Sequence, residues 1–143
     1  MMRNVGEKLM VKLLWIWEQG WNTPIKEYDL WKFPAMDFQV DELIAVPISG
    51  IAADIKEYAT VQEAVIANQS LDLIVCTEKG GNVLEEFKHP INALYMFSNS
   101  GGSSMDFIGA HTPLRIDTPN NQGLLWGHQA ASIVLYDRWL KCL

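Results

Sequence analysis

The apolar positions fall into short continuous runs divided by polar turns, and these runs set the elements the chain is expected to form. Val11 to Trp17 carries Leu13, Leu14, Trp15, Ile16 and Trp17 in one block that stops at Gln19-Gly20. Such a block suits a strand buried on both faces, as in a parallel sheet. Leu43 to Ile48, Leu71 to Thr77, Ala93 to Phe97 and Leu114 to Ile116 read as further strands. They end at Ser49-Gly50, Glu78-Lys79-Gly80-Gly81, the loop Ser98 to Ser104, and Pro119. Thr60-Val61-Gln62-Glu63 is a capping box, with the threonine hydroxyl placed to bind the Glu63 N–H and Glu63 reaching back. The helix it opens is expected to run to about Asn68, with Ala64 and Val65 facing the core.

Helical turns are expected at Leu84 to Phe87 and at Met105 to Gly109, and one long helix from Gln122 to the end, strongest after Gly127. Gly20 to Asp41 is rich in aromatics (Trp21, Tyr28, Trp31, Phe33, Phe38), and Pro24 and Pro34 interrupt it. It reads as a packed, irregular connection. Strands alternating with helical segments predict a three-layer α/β fold with a mostly parallel sheet, taken as a single domain over residues 1–143. In the last helix Leu124, His128, Ala131, Leu135 and Trp139 make one apolar stripe, and Trp126, Ala130, Ile133 and Leu140 make another. A helix apolar on two faces needs two partners: its own sheet and, by expectation, a second subunit.

With 49% apolar and 20% charged residues, the chain can close a core without help from disulfides. Its 17 acidic against 11 basic residues give a net charge of −6. That excludes a strongly basic nucleic-acid module, but not RNA binding through a local patch. Cys76 and Cys142 have no neighbouring Cys or His at zinc spacing, so no metal site is expected and both thiols read as idle. No apolar run approaches the roughly 20 residues of a membrane span, and the charged opening does not read as a signal peptide. A cytoplasmic location is expected.

The chemistry gathers at Tyr95-Met96-Phe97-Ser98-Asn99-Ser100-Gly101-Gly102-Ser103, a strand running into a glycine loop. In open α/β sheets ligands sit beyond the carboxyl ends of the strands, and glycines there let the backbone approach a ligand closely. The loop is neither a phosphate loop, since no Gly-Lys-Ser/Thr follows, nor the spaced-glycine dinucleotide fingerprint. His128 is one turn past Leu124 and can face this end. His89 reads as a structural hydrogen-bonding residue, and His111, Glu85, Glu86 and Lys88 as surface. Asp137 and Arg138 read as a local or intersubunit ion pair.

The segments His89 to Phe97, the glycine loop, Arg115 to Pro119 and Ala130 to Arg138, in that order, are similar to the SpoU-type RNA methyltransferases of the SPOUT superfamily. The likeness spans roughly Leu43 to Leu140. It implies a trefoil-knotted C-terminal half, a homodimer, and S-adenosylmethionine bound bent in the knot. Phe97, Ser98, Asn99, Gly101 and Gly102 would form one wall of that site, Ile116, Asp117 and Thr118 a second, and Leu125, within Leu124 to Trp126, a third. The chain also departs from the family. Ser100 stands where a glutamate is usual, Trp126 where an asparagine is usual, and no arginine follows Asn22 at the family's first motif. No catalytic residue is assigned from the sequence. Two functions stay open. One is methyl transfer to a ribose 2′-hydroxyl of tRNA or rRNA with a degenerate site; DNA and membranes are not expected partners. The other is a non-catalytic knotted homodimeric binding or assembly protein. A small-molecule methyltransferase is a third possibility.

Overall fold

In the computed structural model the described residues are 9–17, 23–51, 54–77, 80–98, 109–120 and 125–142. Strand β1 (Val11–Ile16) forms where the first apolar block predicts it, and Leu13, Leu14 and Trp15 are fully buried. Burial on both faces explains why this strand lacks polar alternation. β2 (Glu42–Val46) stops short of Ile48, because Pro47 has no N–H with which to continue the ladder. β4 (Asp72–Thr77), β6 (Ala93–Ser98) and β7 (Thr112–Arg115) follow the remaining apolar runs. Two further strands, β3 (Lys56–Glu57) and β5 (Asn82–Val83), cap the sheet edges. The seven strands lie in the order β3-β2-β1-β6-β4-β7-β5, and every pairing is parallel.

Alternate residues feed two cores. Leu13, Trp15, Leu43, Ala45, Ile74, Tyr95, Phe97 and Leu114 pack on one side of the sheet; Leu14, Ile44, Val46, Leu73, Val75, Leu94 and Met96 pack on the other. On the second side sits α2 (Val61–Ala67), with Ala64 buried and Val65 packed against the same cluster. The threonine half of the expected box forms, Thr60 Oγ1 accepting the Glu63 N–H at 3.1 Å. A 3-10 turn, Leu84–Glu86, follows β5. Between β4 and β5, Gly81 is at φ +75°, and a Cβ there would lie 2.7 Å from Pro113 Cβ. Only glycine lets β5 close on β7.

The first core is covered by α1 (Pro24–Asp37) and α3 (Gly127–Lys141), so the fold is the expected three-layer α/β arrangement. Helix α1 corrects the reading of Gly20 to Asp41 as irregular. Pro24 stands in the first turn, where its missing N–H would have had no helical partner, and Pro34 falls in the last turn, leaving most of the ladder intact. Thr23 Oγ1 accepts the Lys26 N–H at 3.4 Å. Glu27, Trp31 and Ala35, four residues apart, form the buried stripe.

Helix α3 starts at Gly127 rather than Gln122, with the Trp126 N–H held by Gln129 Oε1 at 2.9 Å. Its buried face is Gly127, Ala130, Ala131, Val134, Leu135 and Arg138; Ile133, Tyr136, Trp139 and Leu140 face outward. Two apolar faces are present, as expected, but Ala130 belongs to the inner one and Trp139 to the outer. The expected helix at Met105 to Gly109 lies outside the described residues except Gly109. The same holds for segments 99–108 and 121–124, through which a knot would be threaded.

Candidate functional site

Parallel pairing puts the carboxyl ends of β6, β4 and β7 side by side. With neighbouring strands about 4.8 Å apart, the chain leaves β6 and β7 about 10 Å apart, on either side of β4. The loops singled out in the sequence therefore leave one edge of the sheet, where ligands of open α/β folds sit. Phe97 is buried against Trp31, ring centres 5.7 Å apart, so its side chain is core and only its backbone can serve a ligand. Ser98 is the last residue of β6, in register with Ile16 of β1. Asn99, Ser100, Gly101 and Gly102 lie outside the described residues.

Ile116 is half-buried against the first core, Thr118 is half-buried, and Leu125 is exposed just before α3. Asp117 accepts from Arg115 Nε at 2.7 Å and Nη2 at 3.3 Å. This hydrogen bond lowers the Asp117 pKa and raises that of Arg115. The pair is solvent-exposed and adds little to stability.

Five aromatic rings collect at the same edge. Trp15 stacks on Trp31 at 6.0 Å, and Trp31 touches both Phe97 and His128. His128 in turn lies 6.1 Å from Trp126. Partial burial lowers the His128 pKa, which favours the neutral imidazole. Beneath these rings is a carboxylate that the sequence reading does not single out. Glu27 is only 4% exposed and accepts from Trp15 Nε1 at 3.3 Å. Its signal is the four-residue spacing with Trp31 and Ala35, visible only when Thr23-Pro24 is taken as a helix start.

A second polar cluster ties the other end of α3 to the loop before β6. His89 Nε2 donates to Asp137 Oδ2 at 2.7 Å, since a carboxylate only accepts. Nδ1 then accepts the Tyr95 hydroxyl proton at 2.7 Å, and Arg138 Nη1 donates to that hydroxyl oxygen at 2.9 Å. Burial lowers the His89 pKa against the opposing pull of Asp137, and burial pushes the Tyr95 hydroxyl up to about 12. The expected Asp137–Arg138 pair is not what forms. Asp137 pairs with His89 and Lys141, while the buried Arg138 donates to the carbonyls of Pro90 at 2.6 Å and Ile91 at 2.9 Å. Neighbours on a helix point about 100° apart, so one turns outward while the other reaches the loop. His89 is structural, as expected.

Among the described residues no group of His, Cys, Asp or Glu could hold a metal ion, and no helix is long and apolar enough to cross a membrane. Both cysteines are free, and burial pushes the Cys76 thiol up to about 11, which makes it unreactive near neutrality.

No protein-family model and no curated protein matches the sequence. Solved structures do. One, from work on the 2-OH methylation of C/U34 on tRNA, superposes over 94% of this chain and 97% of its own with a TM-score of 0.73 at 12% identity. The likeness is one of fold, shared with solved RNA methyltransferases. TrmJ from Z. mobilis ZM4 matches over 92% of this chain and 68% of its own, with a TM-score of 0.65 and 15% identity. An RNA 2′-O ribose methyltransferase matches over 98% of this chain and 61% of its own, with a TM-score of 0.71 and 15% identity. Identity this low carries the architecture, not the individual site residues.

Proposed function

We propose that this protein is an RNA 2′-O-methyltransferase of SpoU type, acting on tRNA or rRNA with S-adenosylmethionine as donor and with much of the usual polar machinery replaced. The observation that carries the reading is the all-parallel sheet with α1 and α3 on one face, matched end to end by a protein of tRNA 2-OH methylation. The described walls suit the cofactor. Ile116 and Leu125 keep apolar surface at the carboxyl edge, which an adenine ring needs, and the backbone after Phe97 can orient it. When bound, the cofactor supplies an electrophilic methyl group. The chain has to hold the ribose hydroxyl in line with it and draw off its proton.

For that second task the residues are poor. Ser100 and Trp126 offer no carboxylate or amide, and the first turn of α1 brings the buried acid Glu27 rather than an arginine to this edge. We therefore infer slow turnover. The same departures, with the net charge of −6, favour a second reading in which the protein binds or assembles without catalysis. A homodimer goes with either reading, because α1 and α3 share one face and both present apolar residues outward: Phe33 and Met36 from α1, and Tyr136 and Trp139 from α3. A cytoplasmic location also goes with either.

Titration calorimetry with S-adenosylmethionine and its demethylated product tests the cofactor site. Binding is expected in the wild type and lost in Gly102→Val with the fold intact. Heat unchanged in the variant would move the site off the glycine loop, and no heat in the wild type would favour the assembly reading.

A further inference from the structure

The carboxyl edge carries one imidazole whose nitrogens the fold does not use. His128 stands in the first turn of α3, half-buried, with its ring edge-on to Trp31 at 6.4 Å. Trp31 also packs on Phe97, near the end of β6, so the imidazole lies one ring away from the strand that leads into the glycine loop. Among the described residues neither ring nitrogen of His128 has a hydrogen-bond partner, while its backbone carbonyl accepts from Ser132 Oγ at 3.1 Å. His89, by contrast, has both ring nitrogens engaged, by Tyr95 and Asp137. A half-buried imidazole steadied by a neighbouring ring, with its nitrogens unclaimed, is available to exchange a proton with a ligand.

We propose that His128 takes the proton of the ribose 2′-hydroxyl. The inference rests on the RNA methylation reading above and names the group that serves its proton-transfer step. The O2′–H bond breaks toward an imidazole nitrogen, the oxygen bonds to the methyl carbon of S-adenosylmethionine, and the carbon–sulfur bond breaks with its electron pair left on sulfur. The imidazolium then returns the proton to solvent. A base has to be unprotonated beforehand, and burial favours the neutral form of His128. The amino end of a helix disfavours a positive charge as well. Both effects also make it a weak base, in keeping with slow turnover. The other titratable groups of the packed elements leave it this role. On α1, Glu27 faces inward but is buried and accepts from Trp15 Nε1, Lys26 and Asp29 are exposed, and Lys32 pairs with Asp29. On α3 the charged residues Asp137, Arg138 and Lys141 lie more than two turns away. On β6, Tyr95 is bonded to His89 and Arg138. At the same edge Asp117 is engaged by Arg115, and the Cys76 thiol is pushed up to about 11.

The test is labelled methyl transfer to total tRNA and rRNA by the full-length protein between about pH 5 and about pH 9. The His128 ring is titrated by NMR alongside, and S-adenosylmethionine binding is followed by calorimetry. The wild-type rate is expected to be level above about 6.5, the ordinary histidine value, and to fall at lower pH with an inflection that matches the NMR titration. His128→Gln is expected to lower kcat about 10²-fold or more and to lose that inflection, with KM for RNA and the heat of cofactor binding unchanged. Equal kcat in wild type and His128→Gln would overturn the base and leave the methylation reading standing. A wild-type inflection displaced from the NMR titration would overturn it without any variant. Cofactor heat lost together with the rate in His128→Gln would overturn it by making the imidazole a support of the cofactor site. No transfer by the wild type would overturn the methylation reading and the base with it.

Discussion

Arg138 shows how one side chain can join distant parts of the chain. It is buried on α3, and its guanidinium serves the carbonyls of Pro90 and Ile91 and the Tyr95 hydroxyl. Arg138→Met would strand two carbonyls and a hydroxyl, and should destabilise the fold by about 3 kcal/mol. Arg138→Lys should lose nearly as much, because an ammonium cannot reproduce the fork. Urea unfolding measures both, and a loss under about 1 kcal/mol would mean that water takes over the guanidinium's bonds. His89 in the same cluster gives a pH dependence. Burial lowers its pKa below the ordinary 6.5, so the unfolded chain takes up the proton first. Stability is therefore complete above about 6.5 and is lost as pH falls from there through the depressed folded value. His89→Gln should flatten the fall in melting temperature between about pH 7 and pH 5; parallel curves for the two proteins would contradict the assignment. The sequence points to His89 as structural through its place before Pro90, but not to Arg138's partners. Those bonds join positions 47 and 48 residues apart, and no local pattern records them.

The elements divide by how they are buried. β1, β2, β4 and β6 are legible because strands covered on both faces read as continuous apolar runs. β3 and β5, two residues each, are too short to show any period. Helix α1 is hidden by its prolines and by outward-facing Ile25, Phe33 and Met36, which blur the contrast with the buried Glu27-Trp31-Ala35 stripe. Pro34 removes one hydrogen bond in the last turn, so Pro34→Ala should stabilise the protein by about 1 to 2 kcal/mol, and thermal unfolding would show it. Destabilisation instead would mean that the ring's packing outweighs the bond. At the other end of the scale, Thr60→Ala removes the α2 cap and should cost about 1 kcal/mol.

At the scale of the whole molecule, the outer faces of α1 and α3 and the carboxyl edge have to be explained together. Phe33, Met36, Tyr136, Trp139 and Leu140 are exposed on the outer faces of α1 and α3, and the proposed two-fold dimer would cover them. Trp139→Lys should halve the mass seen by light scattering; a wild-type protein that is already a monomer would contradict the dimer. The three-layer fold was legible from strand order, and the glycine loop directs the proposed site to the carboxyl edge. Glu27 was not, because it depends on α1 being a helix. The proposed activity is slow methyl transfer to RNA, from a fold whose usual proton-handling residues are replaced. Transfer of labelled methyl from S-adenosylmethionine to total tRNA and rRNA tests this directly, run beside a methyltransferase of the same fold that keeps the arginine, glutamate and asparagine. Transfer is expected to be detectable and at least ~10²-fold slower, the usual contribution of one general acid–base group; turnover equal to that of the reference enzyme would contradict the replaced site.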